Sequence, residues 1–304
     1  MFDSIRTFFN FHIPLPSLQM SSQRDFPEPL VVGPQKQPLK QTFILLHGRG
    51  SSGPNFGPDL LAHAIIFNGS ETLATKFPHA RFVFPSAPLS RAHVYNRSLT
   101  HQWFNNWKLD PPAQEREQLQ VPGLQETTKY LHTLIKREIE LVPGGAGSVV
   151  LGGLSQGCAA SLVAALLWEG DDLGAVVGMC GWLPFAGRMQ DVASTEEDDL
   201  FERDNIAEDD AQDAFDTAVE WLREELDIPS RSKSDMLKHT PVFLGHGVED
   251  DRVDIWLGRK AANCLKDIGV DVCWKEYEGL AHWYSEDMLR DLVEFLQSGS
   301  LALE

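Results

Sequence analysis

Apolar residues along this chain fall into short runs separated by longer amphipathic stretches. The segments 42–46 (TFILL), 81–84 (RFVF), 148–151 (SVVL), 175–179 (AVVGM), 242–244 (VFL) and 270–277 are bounded by glycine, proline or histidine. Short, near-continuous apolar runs of this kind read as strands of a sheet covered on both faces. Between them the period changes. Segment 124–141 carries a Tyr130/Leu131–Leu134/Ile135–Ile139 stripe, and 156–168 is rich in alanine and leucine. Segment 252–268 places Val253, Trp256/Leu257, Ala261 and Cys264/Leu265 on one face; 286–296 does the same with Met288/Leu289, Leu292/Val293 and Leu296. These spacings predict helices. Strands alternating with helices imply an α/β fold, with a mostly parallel central sheet, right-handed crossovers and helices on both faces.

Two segments break the alternation. Residues 1–38 hold six prolines and little periodicity, which predicts an extended or disordered leader before a domain over 39–304. The aromatic start is interrupted by Arg6, Asn10 and His12 and lacks the pattern of a signal peptide, so Met20 is an alternative working start. The second break is acidic. Between Asp191 and Asp227 lie sixteen Asp/Glu against Arg203 and Arg223, a local charge of −14 within a chain of net −18. The excess charge therefore belongs to one insert, spanning about 187–236. Phe215, Val219, Trp221 and Leu222 give part of it an apolar helical face. It reads either as a partial cap or as a solvated loop with a helical patch.

Net charge argues against nucleic acid or an anionic membrane as partner. No apolar run reaches the length of a transmembrane helix. The cysteines Cys158, Cys180, Cys264 and Cys273 are far apart in apolar settings, which predicts reduced thiols in a cytoplasmic protein. A homodimer is carried as an expectation for its assembly.

The strongest chemical signal is Gly153-x-Ser155-x-Gly157, directly after a strand run and directly before an alanine-rich helix. A sharp strand-to-helix turn there holds the serine in a strained conformation, as in the α/β-hydrolase fold, and exposes its Oγ. Glycines two residues to either side avoid collision, and Cys158, Ala159 and Ala160 let the helix start close to the strand. Segment 42–46 runs into His47-Gly48-Arg49-Gly50-Ser51-Ser52-Gly53. Such a turn aims a backbone N–H at a developing oxyanion; by position Arg49 supplies it, with Gln156 as second donor. A phosphate loop is the competing reading, but its lysine is missing.

The base should follow the acid in chain order. Of ten histidines, His282 alone follows the last strand and precedes the final helix. His132 lies in a helix pattern; His63, His79 and His93 lie in loops; His47 and His246 each precede a glycine at a strand end and read as braces for their turns. Glu249, Asp250, Asp251 and Asp254 compete as the acid. Spacing alone does not choose among them, although Asp251 is placed to cap a helix starting near Arg252, which favours Asp250.

Taken together, H-G-x-G, W-F, G-x-S-Q-G, W-L-P, H-G-x-x-D-x-x-V and Y-E-G-x-x-H, in order over 41–296, resemble the acyl-protein thioesterase / lysophospholipase-carboxylesterase family. The resemblance implies Ser155, Asp250 and His282 as the triad and Arg49 and Gln156 as backbone oxyanion donors. It also implies Trp103, Phe104, Trp182 and Leu183 as residues flanking an acyl pocket. Trp107 and Trp283 are further candidates for an apolar groove, although core packing is the commoner fate of an aromatic. Three features depart from the pattern: Arg49 where an apolar residue is usual, Asn105 after Trp103-Phe104, and the long acidic connection.

The implied activity is hydrolysis of an ester or thioester through an acyl-enzyme, needing no metal or organic cofactor. The substrates implied are lipidated proteins, lysophospholipids or small esters. A metabolite esterase with a lid insert, and a non-enzymatic ligand-binding protein, are the alternatives. Recruitment of a basic partner is a further reading of the acidic block.

Overall fold

In a computed structural model, the chain is described over residues 25–65, 71–109, 115–200, 214–229 and 236–298. Its centre is a seven-stranded sheet of β1 (Leu30–Val32), β2 (Gln41–Leu46), β3 (Ala80–Phe84), β6 (Val149–Leu154), β7 (Ala175–Met179), β8 (Val242–Gly247) and β9 (Val272–Tyr277). The strands between β3 and β6, β4 (Leu89–Ala92) and β5 (Ser98–His101), form a separate antiparallel hairpin. The sheet order is β1-β3-β2-β6-β7-β8-β9, and only the β1–β3 pair is antiparallel.

Strand alternation divides the core. Ile44, Leu46, Val149, Leu151, Val176, Val242 and Leu244 face one layer, while Phe43, Leu45, Val150, Val177, Met179 and Phe243 face the other. The second layer is covered by α1 (Gly53–Ala62), α2 (Leu73–Lys76) and α9 (Glu286–Ser298). The first is covered by α3 (Val121–Leu141), α4 (Gln156–Leu166), α5 (Ala186–Leu200), α6 (Ala214–Glu225), α7 (Met236–His239) and α8 (Ile255–Asp267). Every residue of α4 is buried. Its small side chains let it lie close to the strand that feeds it, as packing at interior density requires.

The expected α/β-hydrolase architecture is therefore present, with three adjustments. The boundary expected at residue 39 lies upstream, because Leu30–Val32 pairs with Val83 and its neighbours as the sheet's edge strand. Residues 1–24 of the expected leader lie outside the described residues. The helix expected from Arg252 starts at Ile255, and its cap is Asp254, whose side chain accepts from Trp256 N, rather than Asp251.

Of the two readings of the acidic insert, packing holds for its described part. Phe215, Ala218, Val219 and Leu222 of α6 are buried in the main core, and Trp221 meets Phe185 edge-on. Arg223, one of the two basic residues in the block, is buried and donates to Glu169 Oε1 at 2.9 Å, tying α6 to the end of α4. Residues 201–213 and 230–235 of the insert lie outside the described residues. All four cysteines are free thiols. Among the described residues no helix is long and apolar enough to cross a membrane.

Candidate active site

Ser155 sits where β6 turns into α4, with φ 58° and ψ −120°. A non-glycine residue held at positive φ is strained, and persists only where its surroundings fix it. Ser155 N–H donates to Met179 O at 2.8 Å, and Ser155 O accepts from Ala159 N–H at 3.1 Å. The flanking glycines are needed for contact reasons. A Cβ on Gly153 would lie 2.6 Å from Leu46 O, and one on Gly157 would lie 2.4 Å from the same atom.

The loop after β2 closes over the serine. Gly48 lies so near that a Cβ there would be 3.9 Å from Ser155 Oγ. Arg49, Ser155, Gln156 and His282 line one cleft. Neither the Arg49 nor the Gln156 backbone N–H has an acceptor among the described residues. Both are thus available to a negative oxygen formed beside Ser155.

Asp250 lies in the loop after β8. Its Oδ1 accepts from Arg252 N–H and Val253 N–H, both at 2.9 Å. Its Oδ2 takes His282 Nδ1–H at 2.7 Å and faces His246 Nε2 at 3.2 Å. Burial alone would raise the carboxyl's pKa, but hydrogen bonds from His246, His282 and Val253 N–H outweigh it. The group is held well below the ordinary carboxylate range, so it stays an anion. An anion at Nδ1 keeps that proton in place and leaves His282 Nε2 as a base. Asp250 is the acid that the geometry joins to His282; Asp251 is exposed and Asp254 is spent on its helix cap.

Reading His246 as a brace gives half of its position. Its Nε2 also donates to Val253 O at 2.8 Å, so it clamps the loop and touches the acid as well. The only sequence signal for this was its place four residues before Asp250.

His47 braces its turn in full. Its Nδ1–H donates to Gly48 O at 2.7 Å, and its Nε2 accepts from Ala87 N–H at 3.0 Å. Burial pushes its pKa down from 6.5 to about 4. The folded protein therefore keeps a neutral ring where the unfolded chain already binds a proton. The stability this confers is complete above about pH 6.5 and is lost as pH falls towards 4, on the order of 3 kcal/mol in all. Urea unfolding at pH 7 and pH 4.5 should show that decline, and His47→Gln should flatten it.

The flanking residues need correction. Trp103 and Phe104 are fully buried and do not line the cleft. They lie behind the two segments that carry Arg49 and Gln156. Trp103 N–H donates to Gln156 Oε1 at 2.9 Å, and Trp103 Nε1–H donates to His47 O at 2.8 Å. Gln156 Nε2 donates to Phe104 O at 2.7 Å. One tryptophan thus links the segments that carry Arg49 and Gln156, both of which line the cleft. Trp182 does line the cleft, Leu183 opens onto a neighbouring depression, and Trp283 lies on the cleft wall. Trp107 instead packs under the Arg116 guanidinium, 4.3 Å from its ring centre.

One trio of possible metal donors occurs among the described residues: Cys180, Asp250 and His282. The carboxylate and the imidazole already hold each other, while Cys180 Sγ donates to Trp283 O at 3.2 Å. Burial pushes that thiol up to about 12. A protonated thiol is a poor metal ligand, so the donor set suits proton transfer better than coordination.

A sequence model of the family described as phospholipase/carboxylesterase matches residues 28–210 and 222–300. The gap in that match falls inside the acidic segment. The chain is 27% identical to acyl-protein thioesterase 1 of Gibberella zeae over 282 residues, covering 91% of this chain and 97% of that protein. It is 26% identical to carboxylesterase SOBER1 of Arabidopsis thaliana, covering 85% of this chain and 92% of that one. Among solved structures, acyl-protein thioesterase 2 of Zea mays aligns with a TM-score of 0.63 at 20% identity, covering 89% of this chain and 98% of that chain. At that identity the likeness establishes the fold.

Proposed function

The chain belongs to the phospholipase/carboxylesterase family, and from that premise we propose that it hydrolyses carboxylic esters or thioesters through an acyl-enzyme on Ser155. The protein is a serine hydrolase of the thioesterase/carboxylesterase type. The observation that carries the residue assignment is the strained Ser155 sharing one cleft with His282, whose Nδ1 is held 2.7 Å from Asp250.

In this reading His282 Nε2 takes the Oγ proton as Ser155 attacks the carbonyl carbon. The tetrahedral oxyanion is held by the Arg49 and Gln156 N–H groups. His282 then gives its proton to the departing alcohol or thiol. Water, deprotonated by the same ring, attacks the acyl-enzyme and releases the acid. Phe56, Leu109, Leu154, Trp182, Val253 and Trp283 offer the acyl group an apolar wall.

Relatives named as acyl-protein thioesterases support the thioester half of the reading, and the relative named as a carboxylesterase supports the ester half. A lid made by the acidic insert has less support, because none of its described residues lines the cleft. Turnover of an acyl-thioester, a short aryl ester and a lysophospholipid, each on wild type and Ser155→Ala, tests the proposal. Ser155-dependent cleavage of the thioester is expected. Cleavage of short activated esters alone would exclude the thioesterase reading.

A further inference from the structure

The described lining of the cleft beside Ser155 has a charge opposite to that of the chain. The protein holds 44 acidic and 26 basic residues. Yet the described residues lining this cleft include Arg49 and Arg252 and no carboxylate. Arg49 extends from the loop after β2, one residue beyond Gly48, which lies beside Ser155. Its Nε is buried and has no acceptor among the described residues. The guanidinium lies 5.7 Å from the Tyr95 ring centre, with no carboxylate pairing it among the described residues.

Arg252 approaches from the loop after β8. Its backbone is fixed by the N–H bond to Asp250 Oδ1 at 2.9 Å, and its side chain is exposed. No ion pair engages it among the described residues. A buried charged donor with no acceptor is unfavourable, and burial lowers the Arg49 pKa accordingly. An anion in the cleft would offset the charge of the guanidinium. The planar fork of arginine matches a carboxylate or phosphate with two parallel hydrogen bonds.

We propose that this cleft selects esters or thioesters bearing a second, anionic group, a carboxylate or phosphate, which Arg49 and Arg252 hold while Ser155 attacks the carbonyl. The proposal rests on the hydrolase reading above and specifies its substrate class. The anionic group takes no part in bond making; water is consumed, and an acid plus an alcohol or thiol leave, as for any ester. Because Arg49 places its backbone at the reacting carbon and its side chain beside it, the anion lies close to the scissile bond. The body of the protein, being acidic, repels such a ligand at long range, so recognition is local to the two arginines.

Matched ester pairs test this and also locate the anion. An aryl monoester of glutaric acid against its methyl diester carries the charge on the acyl arm. Lysophosphatidate against monoacylglycerol carries it on the leaving group. Wild type should prefer the anionic member of one pair by about tenfold or more in kcat/KM, a preference that salt weakens. Arg49→Met and Arg252→Met should bring the ratio towards one, with Arg49→Lys keeping part of it. Far-UV circular dichroism and the melting temperature of each variant report that it is folded, independently of turnover. A wild-type ratio of one or less in both pairs, or a ratio unchanged in both methionine variants, overturns the proposal. Absence of Ser155-dependent turnover for all four compounds would instead overturn the hydrolase reading beneath it.

Discussion

Replacing Ser155 by alanine is expected to lower ester turnover by about 10⁴- to 10⁶-fold while leaving the fold in place. The alanine loses one oxygen and no structural bond, since the serine side chain makes no capping hydrogen bond to α4. Its backbone strain is carried equally by alanine, and the bonds from Ser155 N–H and to Ser155 O are unchanged. Kinetics and melting temperature should therefore separate. Turnover should collapse to what the Arg49 and Gln156 N–H groups and binding alone supply, with the melting temperature shifted by only a few degrees. A variant that keeps more than a tenth of wild-type turnover would remove Ser155 from the reaction.

Asp250→Asn should cost about 10⁴-fold in kcat, for a reason the loop dictates. Oδ1 accepts two backbone N–H groups, from Arg252 and Val253. An asparagine has only one oxygen, and the loop requires it in that position. Its NH₂ then points at His282 and His246. His282 Nδ1 must become an acceptor, which moves the ring proton to Nε2 and removes the base from Ser155. His246 Nε2–H would meet a donor as well, so some loss of stability accompanies the loss of rate. Asp251→Asn, at an exposed neighbour that caps nothing, should change kcat by less than twofold. Equal losses for the two variants would mean that the acid has been misidentified.

Much of this was legible in the order of residues. The five internal strands read as apolar runs because they are buried on both faces, while β9, at the sheet edge and partly exposed, is marked only by its first residues; the glycine elbow reads as a turn because no side chain fits beside Leu46 O. Other elements gave no such signal. β1 is three residues long within a proline-rich stretch, and the β4–β5 hairpin is mostly polar, with Leu89 and Leu99 exposed. Burial cannot mark strands that are short or solvated.

α8 starts later than its apolar spacing predicts because Asp250 consumes the Arg252 and Val253 N–H groups, so helical geometry begins only after Asp254. The resemblance implies Trp103 and Phe104 at the pocket, whereas they are buried behind it. Their contacts with Gln156 and His47 run between residues about fifty positions apart, and no local pattern reveals such pairings. The apolar face of α6 is legible in Phe215, Val219, Trp221 and Leu222, but the pairing of Arg223 with Glu169, 54 positions away, is not.

The central claim is that Ser155 is a nucleophile activated by its neighbours, and labelling by a fluorophosphonate tests it most directly. Mass analysis of the labelled protein should find one adduct, on the peptide carrying Ser155, with none in Ser155→Ala and slow labelling in His282→Ala. Equal labelling of wild type and Ser155→Ala, or an adduct on any other residue, would contradict the account.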